Sequence, residues 1–105
     1  MANMQKAFKQ IQKMQAEMER VQNELGEKTV TATSGGGVVS VEISGTLEIK
    51  KVDIQPEAME DQEMLEDLLV AAVNEAIRQA QELSTTEMAK VTGNLKIPGL
   101  PGGLF

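Results

Sequence analysis

A chain of 105 residues with a net charge of −6 is one small domain, and it contains neither cysteine nor histidine. Those two absences exclude disulfides and thiolate metal sites, and they remove both the commonest general base and the commonest metal ligand. Aromatic residues make up 2% of the chain, and seven Met replace them as flexible core filler, so the thin core favours a partner that covers what one copy cannot.

Residues 4–25 read as one helix. Met4, Ala7, Ile11, Met14, Met18, Val21 and Leu25 recur at alternating steps of three and four, an unbroken heptad seam for helix packing. Gly26 follows, where a glycine that ends a helix belongs. Lys6, Lys13 and Arg20 share one heptad position and Lys9 takes another, all on the side away from the seam. The opening stretch MQKAFKQIQKMQ (residues 4–15) holds Lys6, Lys9 and Lys13 and no acid.

Three strand-like runs come next. KTVTAT (28–33) is rich in β-branched residues, SGGG (34–37) is a turn, and VVSVEIS (38–44) alternates with Val39, Val41 and Ile43 on one face. Gly45 and Thr46 give a tight turn into LEIKKVDI (47–54). There the apolar phase slips: Leu47 and Ile49 point one way, Val52 and Ile54 the other. A bulge near Lys50 and Lys51 reconciles them. Pro56 ends the strand and opens a helical turn. A long helix is predicted from about Asp61 to Val91, with Leu65, Leu69, Ala72, Val73, Ala76, Ile77, Ala80 and Leu83 as its apolar stripe. Glu57, Glu60, Asp61, Glu63, Glu66 and Asp67 crowd its start, where the helix dipole favours anions. The tail KIPGLPGGLF is an apolar arm or a disordered end.

The expected fold is therefore α+β in a single domain over 1–105: helix 1–25, antiparallel meander 28–54, helical segment 57–92, Pro/Gly-rich tail 94–105. A helix of about 30 residues spans roughly 45 Å, whereas a strand of about seven residues covers some 23 Å. The second helix must overhang the sheet, and the first, roughly 33 Å long, needs such a surface for its seam. The two are expected to pair into an arm projecting from a sheet-based core, although the seam could also meet its equivalent on a second chain.

Catalysis and cofactors find no support. SGGG lacks the Lys-Ser or Lys-Thr of a phosphate-binding loop, and a strand follows where a helix should. The carboxylates of residues 57–67 lack a calcium-loop spacing. Ser34, Ser40 and Ser44 have no histidine to activate them. The expectation is no enzyme, no metal, no cofactor and no small-molecule substrate. The run Leu68–Val73 is too short for a membrane span, which needs roughly 20 residues, so a cytoplasmic protein with no membrane partner is expected. What is left is the basic stripe. A solvated helix face explains it as well as function does on periodicity alone. However, the lysines of the first sixteen residues have no acid four positions on, so they do not serve helix ion pairs. Unpaired lysines on an exposed ridge suit phosphate contacts.

Several segments taken together, EDQEMLEDLLVAAVNEAIRQAQE (60–82), SGGGVVSVEISG (34–45) followed by a basic pair and VDI, the Met/Gln/Lys-rich opening helix and the Pro/Gly tail, resemble the YbaB/EbfC family of bacterial nucleoid-associated proteins over nearly the whole chain. The resemblance implies a homodimer with a core of strands and the start of the long helix, here Val39, Val41, Ile43, Leu65 and Leu69. It also implies two helical arms set apart like tweezers, and binding of double-stranded DNA with a change in its conformation, bearing on nucleoid organisation, gene expression and DNA protection. Carried onto this sequence, the DNA-binding positions are Lys6, Lys9, Lys13 and Arg20 in the first helix, and Arg78 and Lys90 in the second. Ser40 and Gln79 depart from the family by lacking a base, and the acidic net charge opposes long-range attraction. Weak, salt-sensitive binding with little base readout is therefore expected. The alternative is a prefoldin-like or adaptor module that uses the coiled-coil seam and apolar tail to hold a protein.

Overall fold

A computed structural model describes residues 2–94, with side chains from Met4 to Val91; the tail, expected as an arm or a loose end, lies outside the described residues. The order is α1 (Ala2–Glu27), β1 (Thr29–Ser34), β2 (Val39–Ser44), β3 (Ile49–Ile54) and α2 (Gln62–Asn94), with 3-10 turns at Gly35–Gly37 and Pro56–Glu60. The strands form one antiparallel sheet in the order β1-β2-β3. This is the α+β layout that the periodicities predict.

α1 does not stop at Gly26. It continues to Glu27, because the Lys28 amide donates to the Glu24 carbonyl at 2.9 Å and closes the last turn without a left-handed residue. The β1–β2 turn does need glycine: Gly35, Gly36 and Gly37 have φ of 63, 71 and 101°, a region that other residues enter only with strain. Ser34 Oγ donates to the Leu68 carbonyl at 2.7 Å and ties this hairpin to α2.

The bulge lies where the phase slip placed it. Glu42 pairs with Lys51 and Ile43 with Ile49, so Lys50 is the extra residue. As a result Ile49, Val52 and Ile54 stand opposite Ile43, Val41 and Val39 and share their face. The connection between β2 and β3 is longer than a two-residue turn. Buried Ser44 organises it, its hydroxyl accepting from the amides of Thr46 (3.3 Å) and Glu48 (3.2 Å).

α2 opens at Asp61, whose carboxylate accepts the Met64 amide at 3.2 Å, a side-chain cap for a donor that the helix leaves unpaired. Ala72, Ala76 and Ala80 are fully buried against Ala32, Val39, Val41 and Ile43. Methyl groups at every fourth residue let the helix sit close on β1 and β2. Beyond the sheet, α2 carries Leu83, Met88 and Val91 to Val21 and Leu25 of α1, a second and smaller core. The Gly45 amide donates to the Leu25 carbonyl at 2.9 Å and pins α1 to the sheet edge. The molecule is drawn out to 70 × 25 × 15 Å, a paired-helix arm on a sheet platform.

Candidate nucleic-acid interface

α1 has two faces with opposite chemistry. Its seam turns toward α2 near Val21 and Leu25. Lys6, Lys9 and Lys13 lie away from that seam and are exposed, and none of them makes an ion pair among the described residues. At 1.5 Å rise per residue the three are strung over about 10 Å. Phosphates on one strand recur about every 3.4 Å along the duplex axis, so the row can follow one strand over several phosphates.

The other expected cations are engaged. Arg20 bridges Glu17 and Glu24, each at 2.7 Å, and Glu17 foremost raises its pKa. Arg78 bridges Glu75 and Glu82. Hydrogen bonds from Arg78, and then from Gln79, hold the Glu75 carboxyl down at about 2. Lys90 pairs with Glu87 at 3.3 Å, and Glu87 also takes Lys28 at 3.3 Å. Lys28 foremost, then Lys90, lowers the Glu87 pKa. Through Glu87 the start of β1 is tied to the arm. The six candidate positions thus divide into three free lysines and three cations that already have carboxylate partners on their own helix. The spacing of Glu17, Glu24, Glu75, Glu82 and Glu87, three or four residues from their cations, carries that signal in the sequence. Lys51, outside the expected set, is exposed on β3 with no ion pair among the described residues.

The packing candidates divide too. Val39, Val41 and Ile43 are completely buried by α2 of their own chain, with Leu65 and Leu69 half-buried beside them. Ile49 and Val52 continue the same sheet face yet remain 46% and 44% exposed. Along the seam, Val21 and Leu25 are buried, Met14 is half-buried, Met18 is 37% exposed, and Ile11 and Met4 reach 53% and 77%. Ala7 is exposed as well.

An α+β platform with a projecting two-helix arm and a lysine row on its outer face defines a class of small binding proteins rather than enzymes. Residues 1–95 match the model of the YbaB/EbfC DNA-binding family, and the chain belongs to that family. A nucleoid-associated protein of Pelotomaculum thermopropionicum is 55% identical over 100 residues, covering 93% of this chain and 95% of the relative. One from Moorella thermoacetica is 56% identical over 101 residues, covering 94% and 97%. Among solved structures, the uncharacterized protein HP0035 from Helicobacter pylori is similar with a TM-score of 0.68 and 26% identity, over 72% of this chain and 82% of that one. The chain is thus of a DNA-binding, nucleoid-associated kind. No helix among the described residues is long and apolar enough to cross a membrane.

Proposed function

We propose that two copies of this chain form a homodimer that grips double-stranded DNA, mainly through phosphate contacts from Lys6, Lys9 and Lys13, and changes its conformation in the nucleoid. The observation that carries this is the free lysine row: three exposed ammonium groups on the outer face of a projecting helix, unpaired among the described residues. Such groups release counterions from the duplex without reading its sequence. Arg20, Arg78 and Lys90 add to the grip by exchanging an exposed carboxylate for a phosphate. Those exchanges are isolated surface pairs that salt screens.

The dimer rests on a separate feature. α2 covers the inner face of β1 and β2 but leaves Ile49 and Val52 on β3 open, with Leu65 half-buried nearby. A second copy laid on that strip completes the sheet core and sets two arms on one body.

The test is fluorescence anisotropy of a labelled duplex across a salt series. Affinity should fall steeply with salt, and each Lys→Gln change at 6, 9 or 13 should reduce the log–log slope by about 0.9. Binding that ignores salt, or that survives Lys6→Glu/Lys9→Glu/Lys13→Glu, defeats the proposal.

A further inference from the structure

The apolar strip of α1 is longer than the helix that covers it. From Leu25 at the sheet to Met4 the helix runs about 32 Å, while α2 from Leu83 to Asn94 supplies only about 17 Å. The two run antiparallel, because Leu25 shares a cluster with Leu83 while Met14 shares a groove with Val91. That groove, about 360 Å³, is walled by Met14, Met18, Met88 and Val91 with Ser84 and Thr85 at its rim. Beyond it Ile11, Phe8 and Met4 recur at helical spacing and are 53%, 63% and 77% exposed. The uncovered strip thus extends some 15 Å past the end of α2.

The chain continues from Asn94, at the open end of this groove, with LKIPGLPGGLF. Leu95, Ile97, Leu100, Leu104 and Phe105 are large and apolar, and Lys96 is the one charge. Pro98 and Pro101 prevent a helix from carrying on, and a Pro-rich extended segment keeps its backbone solvated without internal hydrogen bonds. Eleven residues reach as far as about 36 Å, twice the strip's open length. Because the segment is tethered at the groove's mouth, its local concentration is in the millimolar range.

We propose that residues 95–105 lie along the exposed strip of α1 in their own chain, as an extended strap seated on Met14, Ile11, Phe8 and Met4. The flexible methionines adapt to such an irregular ligand. The lysine row faces away from the strip, so the strap closes the apolar edge of the arm and leaves the cationic edge open.

The chain has no tryptophan, so Phe105→Trp in the full-length protein places a single reporter in the strap. Its emission should be blue-shifted and several-fold less accessible to acrylamide than in the urea-unfolded chain. Phe8→Asp/Ile11→Asp should abolish both effects while helical circular dichroism is kept. As a second measurement, hydrogen exchange of residues 4–12 should quicken in Leu100→Asp/Leu104→Asp, which touches no residue of α1. Solvent-like emission in the parent chain, or unchanged exchange in that variant, overturns the strap. Mixing the Phe105→Trp/Phe8→Asp/Ile11→Asp chain with excess wild-type chain identifies whose groove is filled. A recovered blue shift assigns the segment to a second copy and overturns the own-chain placement, whereas no recovery supports it. No DNA enters these measurements, so their outcome is independent of the proposed grip.

Discussion

Arg78 stands between Glu75 and Glu82, a turn away in each direction along α2, and the three together hold one net negative charge on the arm. The consequence can be read by titration. The folded-state pKa of Glu75 is depressed to about 2, so what its ionised form adds to stability is fully present above the ordinary carboxylate range. It is lost as pH falls from there toward about 2. In Arg78→Gln the Glu75 carboxyl, followed by carbon-detected NMR, should titrate at clearly higher pH, and the acid limb of stability below pH ~4.5 should flatten. An unmoved Glu75 would show that the arginine does not hold it. Glycine gives a second residue-scale test. A methyl at Gly35 would meet Val38 Cγ2 at 2.7 Å and Leu68 Cδ1 at 2.9 Å, while one at Gly36 meets nothing within 4 Å. Both have positive φ, so Gly36→Ala should cost about 1 kcal/mol of backbone strain. Gly35→Ala adds the clash and should cost about 2–3 kcal/mol by urea unfolding. Equal losses would mean that the hairpin moves freely off α2.

At the scale of the element, α1 shows what a repeat can and cannot reveal. The heptad steps identify the face that packs, and the slip in 47–54 identifies the bulge, because both follow from side-chain direction along a regular backbone. The repeat does not say how far packing extends. Met4 and Leu25 occupy equivalent seam positions, yet one is 77% exposed and the other 1%. The difference comes from where α2 leaves the sheet and how long it runs on. The ends of regular structure were equally hidden, since Gly26 could end a helix or sit in its last turn, and a backbone bond from Lys28 decides it. Lysine freedom was legible because the first sixteen residues offer no acid four positions on. The same rule applied to Arg20, Arg78 and Lys90 would have found their carboxylates. An energetic gradient follows from the packing. Leu25→Ala empties a site that is 1% exposed between α1 and α2 and should cost about 2–4 kcal/mol in urea unfolding. A loss below about 1 kcal/mol would show that the arm is not clamped at its base.

For the whole molecule the governing problem is charge. Each chain carries −6, and a dimer doubles it, so the protein as a body repels DNA. Only the lysine rows, within about a Debye length of 8–10 Å of the phosphates, can attract it. Two rows held by one body reach the duplex together, because engagement of one arm raises the local concentration of the other. Affinity therefore depends on dimerisation even though the proposed interface contains none of the lysines. Val52→Asp separates these roles. Val52 is 44% exposed in the single chain, so an aspartate there can keep water and the monomer should retain its circular dichroism. Buried and unpaired at a dimer interface, the same carboxylate costs about 3 kcal/mol or more, which is at least a hundredfold in Kd. Sedimentation should show a folded monomer at concentrations where the parent is a dimer. In anisotropy its DNA affinity should fall together with the salt slope. Ile49→Lys approaches the same strip with opposite charge, so its agreement would exclude simple repulsion of DNA by the new aspartate. If both variants sediment as the parent does, β3 is not the contact, and the open strip beside the core needs another partner.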